Sequence, residues 1–302
     1  MTAAGSLTDV PGLAVGHAHC ARARTGVTVI VPDAPAVMAV DVRGGGPGTR
    51  ETDALGPENL VERAHAIVLS GGSVFGLAAA DEAALHLARR GVGLAVAPDM
   101  RVPVVPAAIL FDLRNDGDKS WVRPGGAEPP YRRLAVAALA AAGAATAEGP
   151  VGAGHGAVAG SRPGGIGMAS ARLEGGGLVA ALAVVNSFGE VVEAAPPEEG
   201  PVPMPKLAAG LPTQLGASTT LCVVATDVPL ARGSARRIAL MAQDGLARAI
   251  RPIHTPYDGD TVFVLSTAPE TPSAVDPRLL AELGTRAADC LARAVRRAVL
   301  RP

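Results

Sequence analysis

The stretch Gly216-Ala217-Ser218-Thr219-Thr220-Leu221-Cys222-Val223-Val224-Ala225 passes from small turn-forming residues into two threonines and then an apolar, β-branched run. Its second half reads as a buried strand. The junction in front of it reads as a place where the chain can cut itself. Attack of the Thr219 hydroxyl on the Ser218 carbonyl, an N-to-O acyl shift, would break the chain after Ser218 and leave a threonine whose hydroxyl sits beside a new α-amine. A threonine hydroxyl is a weak nucleophile until a base takes its proton. An α-amine with a pKa of roughly 7.7–8.0 is substantially neutral near pH 7 and suits that task. The competing reading is plain strand chemistry, because threonine pairs open many solvent-facing strands.

Composition narrows the setting. The chain has 302 residues, enough for one large domain or two ordinary ones, and 48% of them are hydrophobic while only 2% are aromatic. Ala, Val and Leu must therefore fill the interior. The 37 Gly and 26 Pro fall between apolar runs without a period, which indicates many turns and no collagen-like or disordered chain. A net charge of −1 gives no electrostatic footprint for nucleic acid or an anionic membrane, and seven aromatic residues cannot supply repeated stacking platforms for bases. Cys20, Cys222 and Cys290 are far apart with no C-x-x-C spacing, so they read as reduced and buried, with no zinc site or disulfide framework. His17, His19, His155 and His254 lack i, i+4 ligand spacing, and neither a metal nor a cofactor is expected. The N-terminus has no basic segment before an apolar core, and Ala135–Ala145 is too short to span a bilayer, which leaves a soluble cytoplasmic protein as the expectation.

Strand-like runs occur at Val27–Val31, Val37–Val42, Ala66–Ser70, Gly93–Ala97, Leu178–Asn186, Thr220–Thr226 and Thr261–Ser266. Helical periodicity marks Ser73–Arg90, ending at Gly91, then Ala231–Ile250 and Pro277–Leu300, the last with Arg286, Arg293, Arg296, Arg297 and Arg301 on a solvated face. Several strands have only turn-length connections, so mixed or antiparallel sheets in an α+β arrangement fit better than a doubly wound parallel sheet. The segment Glu193–Leu215 is rich in Pro and acidic residues and reads as an exposed loop leading to Ser218.

Six blocks occur in a fixed order: Leu7–His17, Arg43–Asp53, Ser70–Leu77, Ala183–Asn186, Thr219–Asp227 and His254–Thr261. Together they resemble the L-aminopeptidase/D-esterase family, which includes β-aminopeptidases and the nylon-oligomer hydrolase, over nearly the whole chain. The resemblance implies an αββα sandwich and self-processing of a single domain, residues 1–302, into an α chain of 1–218 and a β chain of 219–302. It also implies a homo-oligomer of processed αβ units acting on a small amide, peptide or ester, with no nucleic-acid or membrane partner.

Carried over position by position, Thr219 matches the nucleophile and Asn186 an active-site asparagine whose amide can donate to a tetrahedral oxyanion. Read alone, Asn186 could simply cap a turn. Asp258 and Asp260 match a pair that orients the nucleophile; residues two apart in an extended segment face one side, so the two carboxylates are expected to converge and to share a proton or engage the Thr219 ammonium. Asp258-Gly259 is also a common turn signal. Gly71-Gly72-Ser73 joins a strand to a helix, where free N–H groups can hold a negative oxygen; like Gly44-Gly45-Gly46 it lacks a P-loop ending and equally reads as a tight turn. Two positions depart from the family: Ser161 stands where many members carry a lysine, and Phe111 where relatives have a tyrosine. The only lysines are Lys119 and Lys206. Those departures keep open an unprocessed member that binds amides or serves in assembly, and an acyl transferase like the ornithine acetyltransferases.

Overall fold

The computed structural model describes residues 5–193 and 218–300. Ten strands build two facing sheets. In chain order they are β1 (Leu13–Cys20), β2 (Thr25–Pro32), β3 (Val37–Val42), β4 (Thr49–Arg50), β5 (Ile67–Ser70), β6 (Ala107–Ile109), β7 (Gly165–Arg172), β8 (Leu178–Asn186), β9 (Thr219–Thr226) and β10 (Thr261–Ser266). The first sheet has the order β1-β2-β5-β6-β4 and the second β7-β8-β9-β10-β3. Within them β5–β6 and β9–β10 run parallel and the remaining pairs antiparallel, so both sheets are mixed.

Four helices cover the outer faces: α1 (Ala78–Arg89) and α2 (Tyr131–Ala140) on the first sheet, α3 (Arg232–Ala247) and α4 (Pro277–Val299) on the second. Strand alternation explains the layering. Ile67 and Leu69 point between the sheets with Leu182, Val184, Leu221, Val223 and Phe263, while Ala66 and Val68 turn to α1 and α2. On the second sheet Val179, Ala181, Cys222, Val224 and Val264 meet Ala239, Ala242, Leu291 and Val295 of α3 and α4. This is the αββα sandwich. Burial of each valine or leucine contributes about 1.5–3 kcal/mol. The alanine-rich composition lets the layers come close: a Cβ on Gly245 of α3 would lie 2.2 Å from the Ala288 carbonyl oxygen of α4.

The ends of the elements follow local chemistry. Asp276 caps α4 by accepting from the Arg278 N–H at 3.1 Å, with Pro277 in the first turn where no donor is needed. Gly91, at φ 78°, closes the chain behind α1. The sequence-predicted Ser73–Arg90 helix opens as a 3-10 turn over Ser73–Leu77 before α1 begins. The run at Gly93–Ala97 is not a sheet strand of the sandwich: Leu94–Ala97 pairs with Met100–Val102 in a separate hairpin with exposed apolar side chains. β1, β7 and α2 were not expected from the sequence. Three arginines of α4 tie it to neighbouring segments: Arg293 donates to the Ser170 carbonyl, Arg296 to those of Val192 and Arg248, and Arg297 pairs with Glu148. Cys222 and Cys290 are buried thiols, whereas Cys20 is half-buried. The Pro- and acid-rich stretch from residue 194 and Arg301 lie outside the described residues. No helix among the described residues is long and apolar enough to cross a membrane.

Candidate active site

Thr219 is the first residue of β9, which is paired on both sides and buried throughout. Its register places Thr219 directly opposite Asn186, the last residue of β8. Both continue the rows that face the inter-sheet core, with Val184 beyond Asn186 and Leu221 beyond Thr219. The pair thus closes one end of that core. Asn186 is held from two directions: its Oδ1 accepts from the Val158 N–H at 2.9 Å and its Nδ2 donates to the Phe111 carbonyl at 3.1 Å. An amide nitrogen has two N–H bonds, so one remains for a further acceptor.

The loop leading into β10 supplies the other wall. Ser218 forms a parallel bridge with Asp258: its N–H donates to the Tyr257 carbonyl at 3.1 Å and its carbonyl accepts from the Gly259 N–H at 2.9 Å. Thr219 Oγ1 donates to that same Ser218 carbonyl at 2.5 Å. The 218–219 peptide is therefore anchored on both sides, and the hydroxyl of one residue lies against the carbonyl of the other.

Asp258 and Asp260 are completely buried, and each carboxylate has its own donors. Asp258 accepts from the Thr255 N–H at 2.9 Å, the Thr255 hydroxyl at 2.7 Å and the Phe188 N–H at 3.2 Å. Asp260 accepts from the Thr220 N–H at 2.7 Å through Oδ1, and through Oδ2 from the His254 N–H at 3.2 Å and His254 Nδ1 at 2.8 Å. Among the described residues no hydrogen bond joins the two carboxylates: each is held by separate donors, and they lie near enough for the charge of one to act on the other. Burial first, and the Asp260 charge second, push the Asp258 carboxyl above its ordinary range. The Gly44–Gly46 turn packs on this loop, with the Gly45 N–H on the Thr255 carbonyl at 3.1 Å and the Gly46 N–H on that of Asp258 at 2.9 Å. A Cβ on Gly44, at φ 88°, would lie 2.4 Å from the Asp258 carbonyl oxygen.

Gly71, Gly72 and Ser73 do join β5 to the helical turn, but their N–H groups are not free. They donate to the Gly26 carbonyl, to Asp112 Oδ1 and to the Leu110 carbonyl at 2.9, 2.8 and 2.9 Å. The segment is a built turn with no open oxyanion cradle. Phe111 reaches the site through its backbone carbonyl on Asn186. Ser161 is exposed and tied by its N–H and hydroxyl to Glu190 at 2.9 and 3.2 Å; no hydrogen bond joins it to Thr219 or Asn186.

Sequence reasoning missed the buried polar group beside Phe111. Asp112 is held by Gly72 through Oδ1, while Oδ2 is buried on the side of the Thr25 hydroxyl. Burial pushes its pKa up to about 6, against the lowering effects of Thr25, the Lys119 charge and the Gly72 N–H. Lys119 bonds to the Ala23 carbonyl and to Asn115 Oδ1, and Asn115 Nδ2 donates to the Gly156 carbonyl at 2.9 Å. A lysine distant in sequence is thus brought beside the Gly152–Gly156 block. His254 was weighed only as a metal ligand; its place in the six-block pattern, next to the Asp pair, was the available signal.

The sandwich is shared with solved structures of aminopeptidases. The β-aminopeptidase of a Burkholderia species superposes with a TM-score of 0.73 over 97% of this chain and 85% of that one, at 24% identity. The L-aminopeptidase D-Ala-esterase/amidase of Ochrobactrum anthropi, described as a variant of the Ntn hydrolase fold, gives 0.75 over 99% and 87%, at 22% identity. The family model for peptidase family S58 matches residues 5–302. An uncharacterized aminopeptidase of Mycobacterium tuberculosis is 43% identical over 335 residues, covering 98% of this chain and 93% of that protein. A 6-aminohexanoate-oligomer endohydrolase of Kocuria sp. (strain KY2) is 31% identical over 301 residues, covering 90% and 78%. The chain belongs to peptidase family S58, and it is a hydrolase of amide or peptide bonds.

Proposed function

We propose that the chain cleaves itself between Ser218 and Thr219 and that the freed Thr219 is the nucleophile with which it hydrolyses amide substrates. The observation carrying this reading is the 2.5 Å approach of Thr219 Oγ1 to the Ser218 carbonyl, which also receives the Gly259 N–H at 2.9 Å. Oγ1 adds to the carbonyl carbon through a five-membered ring, with the Gly259 N–H donating to the oxygen as it gains negative charge. The C–N bond then breaks, the Thr219 nitrogen gains the proton that Oγ1 loses, and water hydrolyses the resulting Ser218–Thr219 ester.

Turnover repeats the chemistry with an outside acyl group. The Thr219 amine takes the hydroxyl proton, Oγ1 attacks the substrate carbonyl, and the spare N–H of Asn186 donates to the oxyanion. The leaving amine takes the proton, and water releases the acyl group from Oγ1. Asp260 holds the strand at Thr220, and Asp258 fixes the loop that carries Gly259. The names of the relatives define the substrate panel: amides of α- and β-amino acids, D-amino acid esters, and 6-aminohexanoate oligomers. The working form is a homo-oligomer of processed αβ units in the cytoplasm.

A denaturing gel with N-terminal sequencing tests this. The expected result is a fragment beginning at Thr219, with Thr219→Ala giving one intact chain and no turnover of any panel member. An intact wild-type chain that turns substrate over, or a Thr219→Ala variant that still splits, overturns it. Faster transfer of the acyl group to an amino acid than to water would make the protein a transferase.

A further inference from the structure

His254 stands in a conformation that costs free energy. Its φ is 55°, in the left-handed region that a residue with a Cβ enters only at a cost. Such a conformation persists where its surroundings over-determine it, and here both donors of one residue converge on one oxygen. The His254 backbone N–H lies 3.2 Å, and Nδ1 2.8 Å, from Asp260 Oδ2. A helical or extended backbone at this position would re-aim both. The other oxygen of the same buried carboxylate accepts the Thr220 N–H at 2.7 Å. A continuous line thus runs from the imidazole through Asp260 to the peptide that follows Thr219. The ring is four-fifths buried, and no described residue bonds to its Nε2.

We propose that His254 is a positioning residue for Thr219, acting through Asp260. The inference rests on Thr219 being the nucleophile. Its importance rises once the chain is cut. In the intact chain the Ser218 bridge restrains Thr219 from its N-terminal side. After cleavage that covalent restraint is gone, and the start of β9 is held by its pairing with Asn186 and by the Thr220–Asp260 hydrogen bond. A carboxylate free to swing would let the Thr219–Thr220 peptide tilt, and with it the direction of Oγ1. Nδ1–H, held against Oδ2, removes that freedom and fixes which nitrogen of the ring carries the proton.

Two substitutions separate the imidazole from the backbone strain. His254→Gly keeps the left-handed backbone at no cost and removes the side-chain donor. His254→Asn tolerates the same backbone and returns an N–H donor, Nδ2, at the position of Nδ1. Steady-state kinetics are measured on the processed full-length protein with the amino-acid p-nitroanilide it turns over fastest, alongside melting temperatures. The expected result is a roughly 10- to 100-fold loss of kcat in His254→Gly with KM within about threefold, and recovery to within about fivefold in His254→Asn. In an Asp260→Asn background His254→Gly should add little further loss, as members of one hydrogen-bonded line are not additive. A His254→Gly protein with wild-type kcat, a loss in KM alone, or a His254→Asn protein as slow as His254→Gly overturns the proposal. Thr219→Ala, run in parallel, separates the two levels: turnover surviving in Thr219→Ala refutes the nucleophile itself, whereas the order of the three residues at position 254 reports only on positioning.

Discussion

Replacing Asp112 by Asn should make the protein more stable at alkaline pH, because the native fold holds a carboxyl where water cannot solvate its charge. The folded pKa is about 6 against an ordinary value of 3.8. Between those two values the folded state binds the proton and the unfolded state does not, so stability contributed by this group is present at acid pH and is lost as pH rises through about 6. Two pKa units correspond to about 3 kcal/mol, and the group is too deeply buried for solvent to screen the effect. Asn keeps the shape and the oxygen that accepts from Gly72, carries no charge, and offers an N–H to the Thr25 hydroxyl beside it. The comparison belongs in a Thr219→Ala background, which under the proposed self-cleavage keeps the chain whole. Thermal melts at pH 8 should place Asp112→Asn roughly 5–10 °C above its parent, with the gap shrinking steadily as pH falls from 6 to 4. A variant no more stable than its parent at pH 8, or a gap that widens toward acid, would refute the reasoning.

His17 should behave in the opposite sense. Burial lowers its pKa to about 4, so its ring CH resonance should titrate near that value, and the stability it contributes should be lost as pH falls below 6.5 toward 4, because the unfolded chain takes the proton first. Asn186→Ala should lower kcat by about 10²–10³-fold, and Asn186→Asp, which keeps the acceptor for the Val158 N–H but no donor, should be as slow; an active Asp variant would remove Asn186 from oxyanion binding. Phe263→Ala, at a fully buried ring between the sheets, should cost about 3–5 kcal/mol in urea unfolding of the uncut Thr219→Ala chain, and a loss under 1 kcal/mol would contradict the packing described.

The strands most legible in the sequence were those whose neighbours are all apolar. Leu178–Asn186 and Thr261–Ser266 carry long Val, Leu and Ala runs because each is paired on both sides and covered on both faces. β7 escaped notice because Gly165 and Gly167 let α4 lie against it; a Cβ on Gly167 would sit 2.1 Å from the Ala294 carbonyl oxygen, and glycine reads as a turn. α2 was hidden in an alanine-rich tract: Tyr131, Leu134, Ala135, Ala138 and Leu139 are buried at helical spacing, but alanines on its other face blur the contrast. Within the site, Thr219 was readable from the turn-to-strand junction at Ser218–Thr219, whereas Asn186 stood out only through the family resemblance; the register that sets the two opposite each other is a property of the folded β8–β9 pair. The donors that hold the Asp pair were not readable, because the N–H groups of Phe188, Thr220, His254 and Thr255 reach the two carboxylates only in the folded chain. The burial of Asp112 under the Gly71–Gly72 turn is set by tertiary structure that no local pattern encodes.

The order of the second sheet has a topological consequence. β9 and β10 come from residues after 218, but β8 flanks them on one side and β3, from the first fifth of the chain, on the other. If the 218–219 bond breaks as proposed, the second piece is a two-strand insert clasped by strands of the first: the first sheet lies wholly within the first piece, but the second sheet is complete only when both pieces are present. Separation of the halves and loss of the second sheet become one event. Melting of the cut protein then includes dissociation of the two pieces, so that its midpoint rises with protein concentration.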